Sequence, residues 1–319
     1  MRTRDCRTDR RCRRRAGWLP WVVLFFLAAA SPSCLKTTKV IQAPFRVKKA
    51  KVLTQEQIIS LLNQKADSVK SLQVSSMKAY FVGGDEDYGK IEKYMGIPGY
   101  ILAQKPNQLR ITLQNPVTKS SLADLVCDAQ QIRMWIPSKN KFFVGPAVLP
   151  KFERDQAVMS NKEMENPLVN LRPHHFFPAL LFNRPLENED MKFFLEEEST
   201  TSARYYVVGV ATFSQDRRES LQLVRRIWLE RFDLQVTKEK FYSEDGKLQA
   251  EINYSNYQDI NGISIPQKID LQRFQEHYSM TLLLDRVKIN ASLQEKSFQL
   301  NMIPTAELVD LSKRIPSRP

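Results

Sequence analysis

Hydrophobic positions along this chain repeat with two periods, and the change comes early. From Thr54 onward Ile58, Leu61, Leu62, Ala66, Val69 and Leu72 recur every three or four residues, the spacing of one face of an α-helix. Thr54 and Gln57 have capping-box spacing, so the helix is expected to start at Thr54. Beyond it the period is two. Leu109, Ile111 and Leu113 alternate with polar residues, as do Ile132, Met134 and Ile136, then Leu234 and Val236, then Leu248, Ala250, Ile252 and Tyr254, then Met280, Leu282 and Leu284. Asn115-Pro116, Ser138-Lys139-Asn140, Glu244-Asp245-Gly246 and Asn261-Gly262 separate the runs as turns. Short strands joined by hairpins predict a mainly β fold with accessory helices, built on a large antiparallel sheet.

The stretch from about 150 to 190 breaks this pattern. Pro167, Pro173, Pro178 and Pro185 surround the apolar run HHFFPALLF, which predicts short helices lying across the sheet rather than strands within it. One face of each strand is apolar. Such a face either packs into a filled core or, in a partly open barrel, lines a groove for an apolar ligand, and alternation alone does not separate the two.

The N-terminus reads differently from the rest. Met1–Ala16 carry eight arginines and two aspartates, and the twelve residues Leu19–Ala30 carry no charge, the n-region and h-region of a secretory signal. A helix needs roughly 20 apolar residues to cross a bilayer, so a retained single-span anchor is the weaker reading. Ser31-Pro32-Ser33-Cys34 then stands where a lipoprotein cleavage box would, with Cys34 the residue that receives diacylglycerol and an N-acyl group. Ser31 and Pro32 depart from the usual leucine and small residue of such a box. The alternative is ordinary cleavage that leaves Cys34 a free thiol. Leu35 in place of aspartate after the cysteine favours the outer over the inner membrane.

Removal of residues 1–33 changes both charge and cysteine arithmetic. The loss of eight arginines and two aspartates lowers the net charge by six, from +13 to +7, so part of the basicity is a targeting signal. Of four cysteines, Cys34 and Cys127 remain, and an acylated Cys34 leaves Cys127 without a partner for a disulfide. Residues 34–52, with Lys48, Lys49 and Lys51, are expected to form the lipidated end and a basic tether. Residues 53–319 are expected to form one domain, long enough to hold itself together by its core.

Catalytic chemistry is thinly supplied. His174 and His175 are adjacent and therefore diverge on a helix or a strand, which is poor geometry for one metal or one base. Cys127 sits in the apolar run ADLVCDAQ with no basic neighbour in sequence to activate it, and reads as a small core residue. Gly83–Gly89, GGDEDYG, lacks the spaced acidic ligands of a calcium loop and reads as a solvated tip. No phosphate-binding glycine loop, nucleophile elbow or HExxH is present. The expectation is a non-enzyme with no metal, no cofactor beyond the acyl groups on Cys34, and no nucleic-acid partner.

Two stretches resemble a known family. Arg110–Pro137, RITLQNPVTKSSLADLVCDAQQIRMWIP, is similar to the hairpin of LolB, the outer-membrane lipoprotein receptor, and more broadly of the LolA/LolB superfamily. Arg231–Phe274 follows the same family's order of strand, Asp-Gly-type turn, strand, short loop, proline and strand, and the preceding N-terminal helix also fits. The resemblance implies an incomplete antiparallel β-barrel wrapped around helices, with an apolar cavity for acyl chains. It implies a lipoprotein of the outer membrane that faces the periplasm of a Gram-negative-type bacterium. Its expected partners are outer-membrane lipid, lipoprotein acyl chains and a soluble LolA-like carrier.

Under the resemblance, Val117 occupies the place of the exposed leucine that inserts into the membrane, and it is shorter. Leu109, Ile111, Leu113, Met134, Ile136, Leu234, Val236, Ile252, Tyr254 and Leu282 are the expected cavity residues. The function implied is binding of acyl chains or lipoproteins and their delivery to the outer membrane. The alternative is an envelope sensor or assembly scaffold that uses the same fold to hold a protein partner.

Overall fold

The computed structural model describes residues 49–85, 90–128, 130–147, 173–185, 191–213, 220–243, 245–275 and 277–311. Met1–Lys48, and with them the export signal and Cys34, lie outside the described residues, as do Glu86–Gly89 of the acidic tip and Pro167.

The capping box at Thr54 forms as the spacing requires. The Gln57 backbone N–H donates to Thr54 Oγ1 at 3.3 Å, and the Thr54 N–H donates to Gln57 Oε1 at 2.9 Å. Two of the helix's otherwise unpaired N-terminal groups are thereby satisfied, and helix α1 runs over Gln55–Ser68. Ile58, Leu62 and Ala66 are its fully buried face. Val69 and Leu72 continue the spacing beyond the helix, and Leu72 already belongs to the first strand.

Strands β1 (Ser71–Asp85), β2 (Lys90–Gln104), β3 (Gln108–Gln114), β4 (Ser121–Cys127), β5 (Gln131–Ile136) and β6 (Lys141–Pro146) wind outward as an antiparallel meander. The chain then carries helix α2 (Pro173–Leu180), in the proline-broken region where helices are expected, and reaches the opposite edge of the sheet. From there β7 (Lys192–Ser199), β8 (Arg204–Phe213), β9 (Leu221–Glu230), β10 (Val236–Tyr242), β11 (Leu248–Ile260), β12 (Ile263–Arg273) and β13 (Tyr278–Ile289) wind inward until β13 pairs with β1. A last strand, β14 (Glu307–Asp310), joins β6 in parallel. The sheet order is β14-β6-β5-β4-β3-β2-β1-β13-β12-β11-β10-β9-β8-β7, with β14 and β7 at its two ends. The sheet is open, since its two end strands do not pair with each other.

Turn chemistry sets several of these hairpins. Asn261 and Gly262 both have positive φ, 55° and 81°, the combination a two-residue type I′ turn demands, and Ile260 pairs with Ile263 across it. Between β3 and β4, Asn115 Oδ1 accepts from the N–H groups of Val117 and Thr118 at 2.9 and 3.0 Å, and this Asx turn holds Val117 outward at 85% exposure.

Residues directly opposed across a ladder share a face of the sheet. Leu109, Ile111 and Leu113 oppose Cys127, Leu125 and Ala123, and Leu125 opposes Met134, so the apolar parities of β3, β4 and β5 coincide. This is the inner face. Buried residues of β1–β3 and β8–β13 on it form one cluster with Ile58 and Leu62 of α1 and Phe176, Phe177 and Ala179 of α2. Both helices therefore cover it.

The outer face near β3 and β4 is crossed by the segment between β13 and β14. Arg110 and Asp124 pair there with 3.1 and 2.6 Å hydrogen bonds, Thr112 Oγ1 donates to Asp124 at 2.8 Å, and Arg110 Nη1 donates to the carbonyl of Ser297 at 3.0 Å. Phe298 is buried beside them. The segment is fastened at its ends by Ser71 Oγ to the Ala291 carbonyl and Asn140 Nδ2 to the Thr305 carbonyl.

Lys49–Pro319 form one compact unit. The chain is bound to the sheet as early as Lys51, within the span expected to be tether. Tyr206 Oη donates to the Lys51 carbonyl and accepts from Leu53 N–H, both at 2.9 Å, while Lys51 N–H donates to the Arg231 carbonyl at 2.8 Å. The Arg231 guanidinium stacks 4.6 Å from the Tyr206 ring centroid and pairs with Glu197 at 2.5 Å.

Candidate functional site on the inner face of the sheet

The ten residues expected to line a cavity do not all fall in one place. Leu109, Ile111, Leu113, Val236, Ile252, Tyr254 and Leu282 are buried in the cluster beneath the two helices. Met134 and Ile136 are buried in a second cluster with Leu125, Phe143, Val309 and Leu311, next to the β14 edge. Leu234 is not in a strand. It occupies the turn before β10 with φ of 61°, and its half-buried side chain rests against the main cluster. Val117 stands apart from all of these on its exposed hairpin tip.

Among the apolar residues of the inner face sits a charged group that alternation did not announce. Glu239 on β10 opposes Ile252 on one side and Ile227 on the other, and its side chain is 0% exposed. A carboxylate there needs partners, because an isolated buried charge is strongly disfavoured. It has two. Arg225 Nε donates to Oε2 at 2.7 Å, with Nη2 a further 2.5 Å ionic contact to the same oxygen outside hydrogen-bond geometry. Tyr254 Oη donates to Oε1 at 2.9 Å. Burial, and secondarily the Glu239 charge, push the Tyr254 hydroxyl far above its ordinary pKa, so it stays a donor.

Arg225 also reaches the chain that covers the face. Its Nη1 donates to the carbonyls of Asn183 and Arg184 at 3.3 and 3.2 Å. The guanidinium lies between two aromatic rings, 4.9 Å from the Phe182 centroid and 5.4 Å from that of Phe241. Lys105 secures the neighbouring carbonyl: its Nζ donates to Phe182 at 2.8 Å and to Ala66 of α1 at 2.5 Å. Desolvation lowers the pKa of this ammonium. Arg184 then forms a bidentate pair with Asp67 of α1, at 2.9 and 2.6 Å. Three consecutive carbonyls after α2 are thus held by cationic side chains of the β2–β3 turn and of β9, and the same segment is tied to α1. The cover of the inner face is fastened by polar bonds at Phe182–Arg184.

Parity explains why sequence reading passes over Glu239. With Val236 facing inward, simple alternation sends Glu239 outward. A bulge between Val236 and Lys238 reverses the parity and turns Glu239 in.

The titratable groups singled out in the sequence remain dispersed. Cys127 is buried, its Sγ donates to the Asp128 carbonyl at 3.1 Å, and burial raises its pKa to about 12, so it holds its proton. His174 and His175 lie in the first turn of α2, with their side chains outside the described residues. Among the described residues no three of His, Cys, Asp and Glu are grouped to hold a metal. No described helix is long and apolar enough to cross a membrane.

A family model described as an uncharacterized protein matches residues 182–305, less than half of the chain. No curated protein matches. Among solved structures the chain is similar to a LolA superfamily protein from Nitrosomonas europaea, with 15% identity, a TM-score of 0.46, and coverage of 76% of this chain and 97% of that one. It is similar also to a DUF1329 family protein from Desulfovibrio piger, with 11% identity, a TM-score of 0.48 and coverage of 76% and 94%. A third likeness is to a domain from Vibrio parahaemolyticus described as an outer membrane lipoprotein-sorting protein, with 11% identity, a TM-score of 0.47 and the same coverage.

Proposed function

We propose that this protein is a lipid-anchored lipoprotein facing the periplasm, that it binds acyl chains or lipoproteins on the inner face of its open sheet, and that it aids their delivery to the outer membrane. The observation that carries the reading is an extensive apolar face whose cover is fastened at Phe182–Arg184 by side chains of the sheet and of α1. A hydrogen bond to a charged group contributes only about 1.5–3 kcal/mol net, because water replaces it on opening. Each methylene of an acyl chain that replaces the cover gains about 0.8 kcal/mol. Several methylenes therefore offset the release of this fastening, and exchange of cargo requires no bond to be made or broken.

Cys34 holds the chain at the membrane by its acyl groups in this reading, and Val117 touches lipid or the incoming acyl chain from its hairpin tip. The test is Val117→Glu in cells that depend on the protein. Val117 is exposed and packs on nothing, so stability should move by no more than about 0.5 kcal/mol. Outer-membrane lipoprotein levels should fall with the protein still folded, and unchanged levels refute the delivery role.

A further inference from the structure

The two ends of the sheet are treated differently. At one, β6 receives β14, which the chain brings round across the outer face. At the other, β7 ends the sheet, and no described residue pairs with its second side. β7 pairs with β8 over eight residues without a register shift and contains no proline, so it lacks two of the devices that blunt an edge. An unpaired row of backbone donors and acceptors is a template for another strand.

The side chains of β7 specify which strand. Phe193 and Leu195 face inward against the core, while Lys192, Phe194 and Glu196 face outward. Phe194 is 40% exposed, and its ring lies flat on Gly209 of β8. A Cβ at Gly209 would stand 2.0 Å from the ring, so only glycine admits it there. The ring leans over β8, and its exposed side faces solvent next to the end strand. Lys192 and Glu196 flank it at equal spacing, with opposite charge.

The geometry points to an antiparallel pairing of β7 with β7 of a second copy of this chain, about a two-fold axis at Phe194. In that register Lys192 opposes Glu196 of the other copy, Phe193 opposes Leu195, and Phe194 opposes itself, so over the five residues Lys192–Glu196 charge meets opposite charge and apolar meets apolar. Glu196 is already paired with Arg226 at 2.5 Å, which places its carboxylate for the incoming ammonium. Moving the axis to Leu195 sets Phe193 against Glu197 and Phe194 against Glu196. An axis at Glu197 sets Glu196 against Glu198. The acidic half of β7 thereby disfavours the other registers, and the favoured one runs the two sheets together with their inner faces on the same side.

The experiment uses the full mature chain in detergent. Sedimentation should give twice the protein mass of one chain, and Lys192→Glu, an exposed change that leaves the circular dichroism unaltered, should halve it. Phe194→Cys should oxidise to a dimer linked at position 194 in peptide mass spectra, whereas Leu195→Cys and Glu198→Cys should not, since their Cα atoms would lie more than about 7 Å from their symmetry mates. A single-chain mass, a dimer indifferent to Lys192→Glu, or a link at position 195 instead of 194 overturns the pairing.

Discussion

Arg225 and Glu239 meet diagonally across neighbouring strands of the inner face, joined by a 2.7 Å hydrogen bond from Nε to Oε2 within an otherwise apolar surface. The pair does two things at once. It neutralises a carboxylate that has no access to water, and it aims the rest of the guanidinium at the carbonyls of Asn183 and Arg184. The charge inside the core is therefore a fastening for what lies over the core.

Removing one partner strands the other. Glu239→Ala is expected to cost about 3–5 kcal/mol, seen as a lower urea midpoint with the slope unchanged. The double change Arg225→Met with Glu239→Leu should recover most of that stability, because a pair of similar volume without charge carries no desolvation penalty. It should still lose hydrogen-exchange protection at residues 182–184. Full protection in the double variant would contradict the fastening role.

The Asp67–Arg184 pair gives the same segment a dependence on pH. Hydrogen bonds from Arg184 are the largest cause that lowers the Asp67 pKa below its ordinary value. A depressed carboxylate contributes stability that is complete above the unfolded pKa and is lost as pH falls through the lower folded one. Protection at Arg184, corrected for intrinsic exchange, should be constant from pH 7 to pH 5 and fall below about pH 4. Asp67→Asn should remove that step.

Cys127 should behave as core. With its pKa raised to about 12, almost no thiolate exists at pH 8, and the side chain is shielded as well. Iodoacetamide should leave Cys127 unmodified in the native protein and modify it fully in urea, as read from its own peptide by mass spectrometry. Equal modification in both states would place the thiol at a surface.

How much of this was legible in the sequence depends on the regularity of each element. α1 was readable because Thr54 and Gln57 fix its start and Ile58, Leu62 and Ala66 fix its face. β3, β5, the Leu248–Tyr254 part of β11 and the Tyr278–Leu284 part of β13 were readable because each holds one parity through its apolar residues. β1 was not, since a bulge between Val74 and Met77 switches its inward parity midway. β8 was not either. Tyr206–Ala211 is buried on both faces, so it shows no alternation to detect.

The site was legible only in part for related reasons. Apolar residues such as Ile111, Ile252 and Leu282 identify the inner face, but Glu239 looks like a solvent-facing charge until the bulge in β10 is known. Leu234 continued an alternation on paper that the left-handed turn before β10 interrupts. The carbonyls of Phe182, Asn183 and Arg184 carry no side-chain signature at all, and only the folded chain brings them to Lys105 and Arg225.

Native mass spectrometry of the protein purified from its own membranes tests the central claim most directly. The account predicts a co-purifying acylated species released from the folded domain, in addition to any acyl groups on Cys34. A folded protein that carries no acylated ligand, or one that carries a protein partner instead, would contradict it.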